Sequence, residues 1–127
     1  MGDAVTRGVR VRARSQFVPE RSAPDRDFYF FAYRIVIANE GDETVQLLAR
    51  HWIITDGNGK TQEVKGPGVV GQQPVLAPGE HYAYTSACPL PTPVGTMHGS
   101  YQMVTDEGEH FDARVAPFGL ALPNILN

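Results

Sequence analysis

Phe28-Tyr29-Phe30-Phe31-Ala32-Tyr33-Arg34-Ile35-Val36-Ile37-Ala38 is a stretch rich in aromatic and β-branched residues and without glycine or proline. Such residues fit a pleated, half-buried surface, so the stretch predicts a long central β-strand. Alternation places Tyr29, Phe31, Tyr33, Ile35 and Ile37 on one face. Each large side chain buried there contributes roughly 1.5–3 kcal/mol. Their sum rivals the net stability of a whole domain, about 5–15 kcal/mol, before conformational entropy is subtracted. These aromatics are therefore read as core. Arg34 interrupts the apolar run well short of a membrane span.

Toward the N-terminus, Pro19, Ser22, Ala23 and Pro24 mark a loop. Before it, Val9, Val11 and Ala13 alternate with Arg10, Arg12 and Arg14, the period-two signature of a first strand with one apolar and one guanidinium face. An arginine face on an edge strand discourages sheet-to-sheet aggregation, and the same groups can grip phosphates. Toward the C-terminus, Asn39-Glu40-Gly41-Asp42 reads as a turn and Thr44 to Asp56 as a second long strand. Asp56-Gly57-Asn58-Gly59 reads as a turn in which both glycines supply positive φ, with Lys60 to Val64 returning. Residues 66–79 are loop-like, and Ala77-Pro78-Gly79-Glu80 fits a type II turn. His81 to Ala87 is a strand that Pro89, Pro91 and Pro93 forbid from continuing, and Met97–Thr105 and Glu109–Val115 form a hairpin. No stretch has convincing helical periodicity. The expectation is one domain spanning residues 1–127: an all-β, antiparallel sandwich of about seven strands with immunoglobulin or fibronectin type III character. A closed barrel is the alternative.

The chain has 127 residues, and its thirteen glycines and ten prolines, together about 18%, suit many short strands. The net charge of −3 argues against a dedicated nucleic-acid binder, so no specific DNA binding is expected. Charge is unevenly spread: residues 1–26 carry six arginines against three acids. A single cysteine, Cys88, excludes an intramolecular disulfide and a cysteine-based zinc site. With no apolar leader at the N-terminus, the expectation is a cytoplasmic protein without membrane insertion.

Gly66-Pro67-Gly68-Val69-Val70-Gly71 matches G-x-G-x-x-G. In dinucleotide-binding folds that motif lies between a strand and a helix whose N-terminus holds pyrophosphate. Here Pro74 and Pro78 preclude the helix and Pro67 lacks an amide, so a Rossmann-type site is rejected. Gly66, Gly68 and Gly71 remain candidates for a backbone nest that binds an anion, against a purely structural glycine loop. His51, His81, His98 and His110 lack the i, i+2 or i, i+4 spacing that aims two rings at one metal. Asp106, Glu107, Glu109 and Asp112 crowd a hairpin, where a solvated turn is the default over cation coordination. Cys88 beside His51 or His81 is a conceivable thiolate–imidazole pair, but no local signature supports it, and a small buried hydrophobe is favoured. No cofactor or catalytic residue is assigned.

The order of segments is recognisable: Phe17-Val18-Pro19-Glu20, Phe31-Ala32-Tyr33, then Gln46 to Asp56 with His51-Trp52 at its centre. After the glycine motif come Tyr84-Thr85-Ser86-Ala87-Cys88-Pro89-Leu90 and Thr92-Pro93-Val94-Gly95-Thr96-Met97-His98-Gly99-Ser100-Tyr101. This pattern resembles the ApaG family, including its CorD-like bacterial members, over essentially the whole chain, and departs from it at Ala87, where glycine is common. The resemblance implies a fibronectin type III-like sandwich but no known reaction. It also implies links to cobalt tolerance and magnesium efflux, and to a neighbouring diadenosine-tetraphosphate hydrolase. Related domains in eukaryotic F-box proteins and a polymerase-interacting protein imply a partner-binding surface. The leading expectation is thus a non-enzymatic module for an unidentified protein partner. The alternative is a phosphate-containing ligand, pyrophosphate or a dinucleoside polyphosphate, at Gly66–Gly71, with or without a divalent cation. Direct phosphoanhydride hydrolysis finds no positioned nucleophile. A monomer and a homodimer paired through β edges both fit.

Overall fold

The structure, a computed structural model, describes residues 1–123. Nine antiparallel strands run in chain order: β1 (Gly2–Thr6), β2 (Val9–Phe17), β3 (Tyr29–Asn39), β4 (Val45–Asp56), β5 (Thr61–Pro67), β6 (Val75–Leu76), β7 (His81–Leu90), β8 (Val94–Thr105) and β9 (His110–Ala121). They form two sheets, β1-β2-β3-β7 and β5-β4-β8-β9, with the two-residue β6 on β4. This is the expected sandwich, and the described residues hold no helix beyond two three-residue 3₁₀ turns at Pro19–Arg21 and Pro24–Arg26.

The alternation of the central stretch carries through. Phe31, Tyr33, Ile35 and Ile37 are buried, as are Val9, Val11 and Ala13 on β2. Opposite them the second sheet contributes Leu47, Trp52, Tyr101, Met103, Val115 and Phe118. Trp52 ties the core together: its ring meets Tyr33 of the facing sheet edge-on at 5.6 Å and Phe118 of its own sheet at 6.0 Å between centroids. Aromatic pairs in such tilted geometry add about 0.5–1.5 kcal/mol each beyond the area they bury.

Four local expectations change. β1 was not foreseen, and it places the arginine-bearing β2 inside its sheet rather than at an edge. β6 is a further addition within the segment read as loop. In the Asp56–Gly59 turn only Gly59 has positive φ, +81°. β7 continues through Pro89, which pairs with Phe30. The reason is visible in Phe30, whose N–H donates to Ser22 Oγ and whose carbonyl accepts from Val18 N–H, so both groups turn away from β7. Pro89 thus faces β3 without a ladder bond, and its missing donor lies on the outer edge, where proline is tolerated.

The two long sides of the sandwich differ. On one, β1 and β2 pack against β9, with Ser15 Oγ donating to Gly119 O at 2.6 Å and Arg114 N–H donating to Thr6 Oγ1 at 3.0 Å. On the other, β5 and β7 are both terminal strands.

Candidate functional site

The G-x-G-x-x-G segment is a tight hairpin. Gly66 and Pro67 end β5, and Val69 and Gln72 then exchange backbone hydrogen bonds of 2.8 and 3.0 Å. Val70 and Gly71 between them have φ of +48° and +77°, the signature of a type I′ turn. Gly68 is fixed twice over: its φ is +59°, and a Cβ there would lie 2.4 Å from Gln72 O. The amides of Gly68, Val69 and Gln72 are spent on Leu48 O, Gln72 O and Val69 O. No helix follows, which agrees with rejecting a Rossmann site. Val69 is fully buried and anchors the loop, while Val70 is 63% exposed in a conformation unfavourable to a β-branched residue.

Arg50 explains Gly66. The half-buried Arg50 side chain donates from one terminal nitrogen to Pro67 O at 2.9 Å and Gly68 O at 3.0 Å. A Cβ on Gly66 would lie 2.9 Å from the other terminal nitrogen. The guanidinium clamps the loop through its carbonyls and has no carboxylate partner among the described residues. Arg50 also lowers the cost of ionising Tyr33, Tyr84 and Tyr101, although burial dominates and holds all three phenols above their ordinary range. The Tyr84 and Tyr101 hydroxyls hydrogen-bond to each other in the interior.

The other candidates resolve individually. Cys88 is buried, and burial pushes its thiol up to about 11, the opposite of a reactive thiolate. His51 Nε2 lies 2.9 Å from Glu63, whose carboxyl is held below its usual range by that hydrogen bond and by Lys65. The carboxylates of Glu43, Glu107 and Glu109 converge, but Arg7 binds Glu43 at 3.3 Å and Glu109 at 3.0 Å. Asp112 lies along β9, outside this cluster. A guanidinium thus already pairs with two of the three carboxylates that would hold a cation.

Charge is segregated over the surface. Glu40, Asp42, Glu43, Glu80, Asp106, Glu107 and Glu109 gather in the turns at one end of the sandwich, since Asn39, Val45, His81 and Thr105 all close strands there. The outward face of β2 and β3 is basic. Arg10 and Arg12 approach Asp3 at 2.7 and 4.0 Å, whereas Arg14 and Arg34 stand directly opposite each other with no carboxylate partner among the described residues. Thr85 of β7 continues that row, and the three residues line a shallow depression of about 420 Å³ with Gln16 and Ala32. Sequence reading treated Arg34 only as a break in an apolar run. Its pairing with Arg14 follows from the period-two pattern once the β2/β3 register is known.

Comparison with known proteins places these features in a lineage. The ApaG domain profile matches residues 19–105. The chain is 54% identical over 127 residues to Protein ApaG of Anaeromyxobacter dehalogenans (strain 2CP-C), with full coverage of both. It is 54% identical over 125 residues to Protein ApaG of Methylobacterium sp. (strain 4-46), covering 98% of this chain and 96% of the relative. A crystal structure described as an ApaA protein from Bordetella pertussis superposes with a TM-score of 0.90 at 52% identity, covering 91% of this chain and 94% of that one.

Proposed function

The chain belongs to the ApaG domain family, and we propose that it is a protein–protein interaction module without catalysis of its own. The observation that carries the reading is the unpaired edge of β7 beside the basic face of its sheet. A rigid sandwich with one open edge supplies backbone hydrogen bonds and pockets for alternate side chains, which is what strand-adding modules use. Among the described residues the histidines, the thiol and the carboxylates lie apart or already paired, so no nucleophile, base and oxyanion donor converge there. We place its action in the cytoplasm, and we assign the cobalt and magnesium associations expected of the family to its partner rather than to a metal site here. The test is selection of binders from an unbiased peptide library, followed by alanine substitution of exposed arginine and aromatic residues. A few positions should each cost about 2 kcal/mol or more of affinity with unchanged melting. Uniformly small losses, or turnover of diadenosine tetraphosphate by the pure protein, would overturn it.

A second reading rests on Arg50. A half-buried guanidinium without a carboxylate, behind the Gly66–Gly71 loop, favours a pyrophosphate or dinucleoside polyphosphate there, with or without a divalent cation. Titration with pyrophosphate and diadenosine tetraphosphate, each with and without Mg²⁺, should then shift the Val70 and Gly71 amides saturably, and unshifted amides reject it. Gly68→Ala is a poor probe because it strains the loop itself. Gly71 has open space around it, but its φ of +77° strains any side chain placed there as well.

A further inference from the structure

We propose that the free edge of β7 accepts an extended acidic peptide as a fifth, antiparallel or parallel strand of the β1-β2-β3-β7 sheet. The proposal rests on the interaction-module reading above and names the surface and the partner's chemistry.

The edge is defined by hydrogen-bond parity. Phe30 and Glu40 direct their amides toward the β2 side, to Ser22 Oγ and Gly8 O, while Asn39 bonds to Glu80 O and Gly79 N on the β7 side. Both ends of β3 therefore agree: its odd-numbered residues bond to β7 at Tyr82, Tyr84, Ser86 and Cys88. The N–H groups of His81, Ala83, Thr85 and Ala87 point outward, and none has a partner among the described residues. Alternate amides along one edge are the template that strand addition requires.

The other terminal strands are protected. β1 and β9 pack against each other's sheets. β5 carries exposed Thr61, Gln62, Glu63 and Lys65, with Glu63 and Lys65 3.9 Å apart, the charged decoration that discourages edge pairing. Between His81 and Pro89, β7 instead presents Ala83, Thr85 and Ala87, short uncharged side chains that obstruct nothing.

Charge selects the occupant. Arg14, Arg34 and Thr85 form one row across three strands. Strands are about 4.8 Å apart, so the residue of an added strand opposite Thr85 lies roughly 10 Å from the Arg34 backbone, a gap that an arginine and a glutamate close over a threonine. Cross-strand partners share a face, which puts that side chain beside the two arginines. Two like charges directly opposed are mutually unfavourable, so a carboxylate arriving in their row relieves them. Neighbouring positions of the peptide turn to the other face, beside half-buried Tyr82 and Ser86, and take small or apolar side chains. The matching segment alternates acidic and apolar residues. A second copy of this chain fits less well, because β7 paired with β7 about a two-fold axis normal to the sheet sets both arginine rows on one face.

The test uses the full chain and an acetylated, amidated peptide of about eight residues alternating glutamate with valine and threonine. Its lysine counterpart serves as control. Amide-resolved NMR should show shifts and slowed exchange at His81, Ala83, Thr85 and Ala87 but not along β5. Affinity for the glutamate peptide should exceed that for the lysine peptide about tenfold and fall with salt. Arg34→Glu, which leaves the row net neutral beside Arg14, should abolish this preference. Ala83→Pro should abolish binding by removing an edge donor, and Thr85→Glu, which leaves the backbone intact and sets a like charge against the peptide's glutamate, should weaken binding if the first variant fails to fold. Equal binding of both peptides, perturbation of β5 in place of β7, or protection of the β7 amides by self-association without peptide overturns the proposal. So does binding by library-selected peptides elsewhere, an outcome that leaves the interaction-module reading standing. A library yielding no binder at any surface fails both.

Discussion

The two long sides of this sandwich solve the edge problem differently. On one side β1, β2 and β9 approach so closely that a Cβ added to Gly2 would lie 2.6 Å from Ala116 O, and side-chain hydrogen bonds cross between the sheets. On the other side β5 and β7 end their sheets without pairing, one charged and one bare. Both sides share one core, so the difference does not arise from hydrophobic content. It arises from backbone approach. Where backbones meet, substitutions act on stability, and where an edge stays open they act on binding.

The largest expected effect is on the closed side. Gly2→Ala forces β1 away from β9 and should lower the unfolding free energy by about 2–3 kcal/mol in chemical denaturation. A variant as stable as wild type would show that this seam contributes little.

Next is the pH dependence of Cys88, which faces inward from the open-edged β7. Its folded value of about 11 exceeds the ordinary 9.0, so the folded state holds the thiol proton more tightly. The resulting stability is complete below about pH 9 and is lost as pH rises through about 11, a loss of about 3 kcal/mol at most. Cys88→Ala should remove that part of the alkaline slope. An unchanged slope would assign it to the buried tyrosines.

Tyr84→Phe leaves the buried Tyr101 hydroxyl without its partner and should cost about 1–2 kcal/mol. The double variant with Tyr101→Phe should recover part of the loss, because both buried polar groups are then gone. Additive losses in a double-mutant cycle would deny the coupling. Arg50→Gln should cost about 1 kcal/mol and speed amide exchange at Gly68 and Val69, since two carbonyls of the loop lose their donor. Smallest is Ala83→Pro, expected within about 0.5 kcal/mol of wild type because its N–H makes no bond, although it should abolish peptide capture. A large stability loss there would mean that the β7 edge is part of the structure rather than a free surface.

Much of this architecture is legible in the chain. The alternation from Tyr29 to Ile37 identifies both the central strand and its core face, and the β2 alternation does the same for Val9, Val11 and Ala13. Turns announce themselves through their chemistry, as at Ala77–Glu80, where Glu80 N–H donates to Ala77 O and Gly79 has φ +89°. What escapes is whatever depends on neighbours. Nothing local in Gly2-Asp3-Ala4-Val5-Thr6 marks a strand, because β1 is held by pairing with β2 and packing on β9. Pro89 reads as a strand breaker until its outward-facing nitrogen is known. The glycine motif leaves open a nest of free amides or a structural loop, and the amides of Gly68 and Val69 are used within the hairpin and toward β4.

The sequence by itself determined the all-β class, the core faces, the turn chemistry and the kinship with ApaG proteins, since periodicity, glycine, proline and motif order are written along the chain. Only the tertiary structure decided which strands became edges, which arginines were left without a carboxylate, and which loop amides were already spent. Those properties belong to pairs of residues far apart in sequence, and a pair has no charge balance or hydrogen-bond count until folding sets its register.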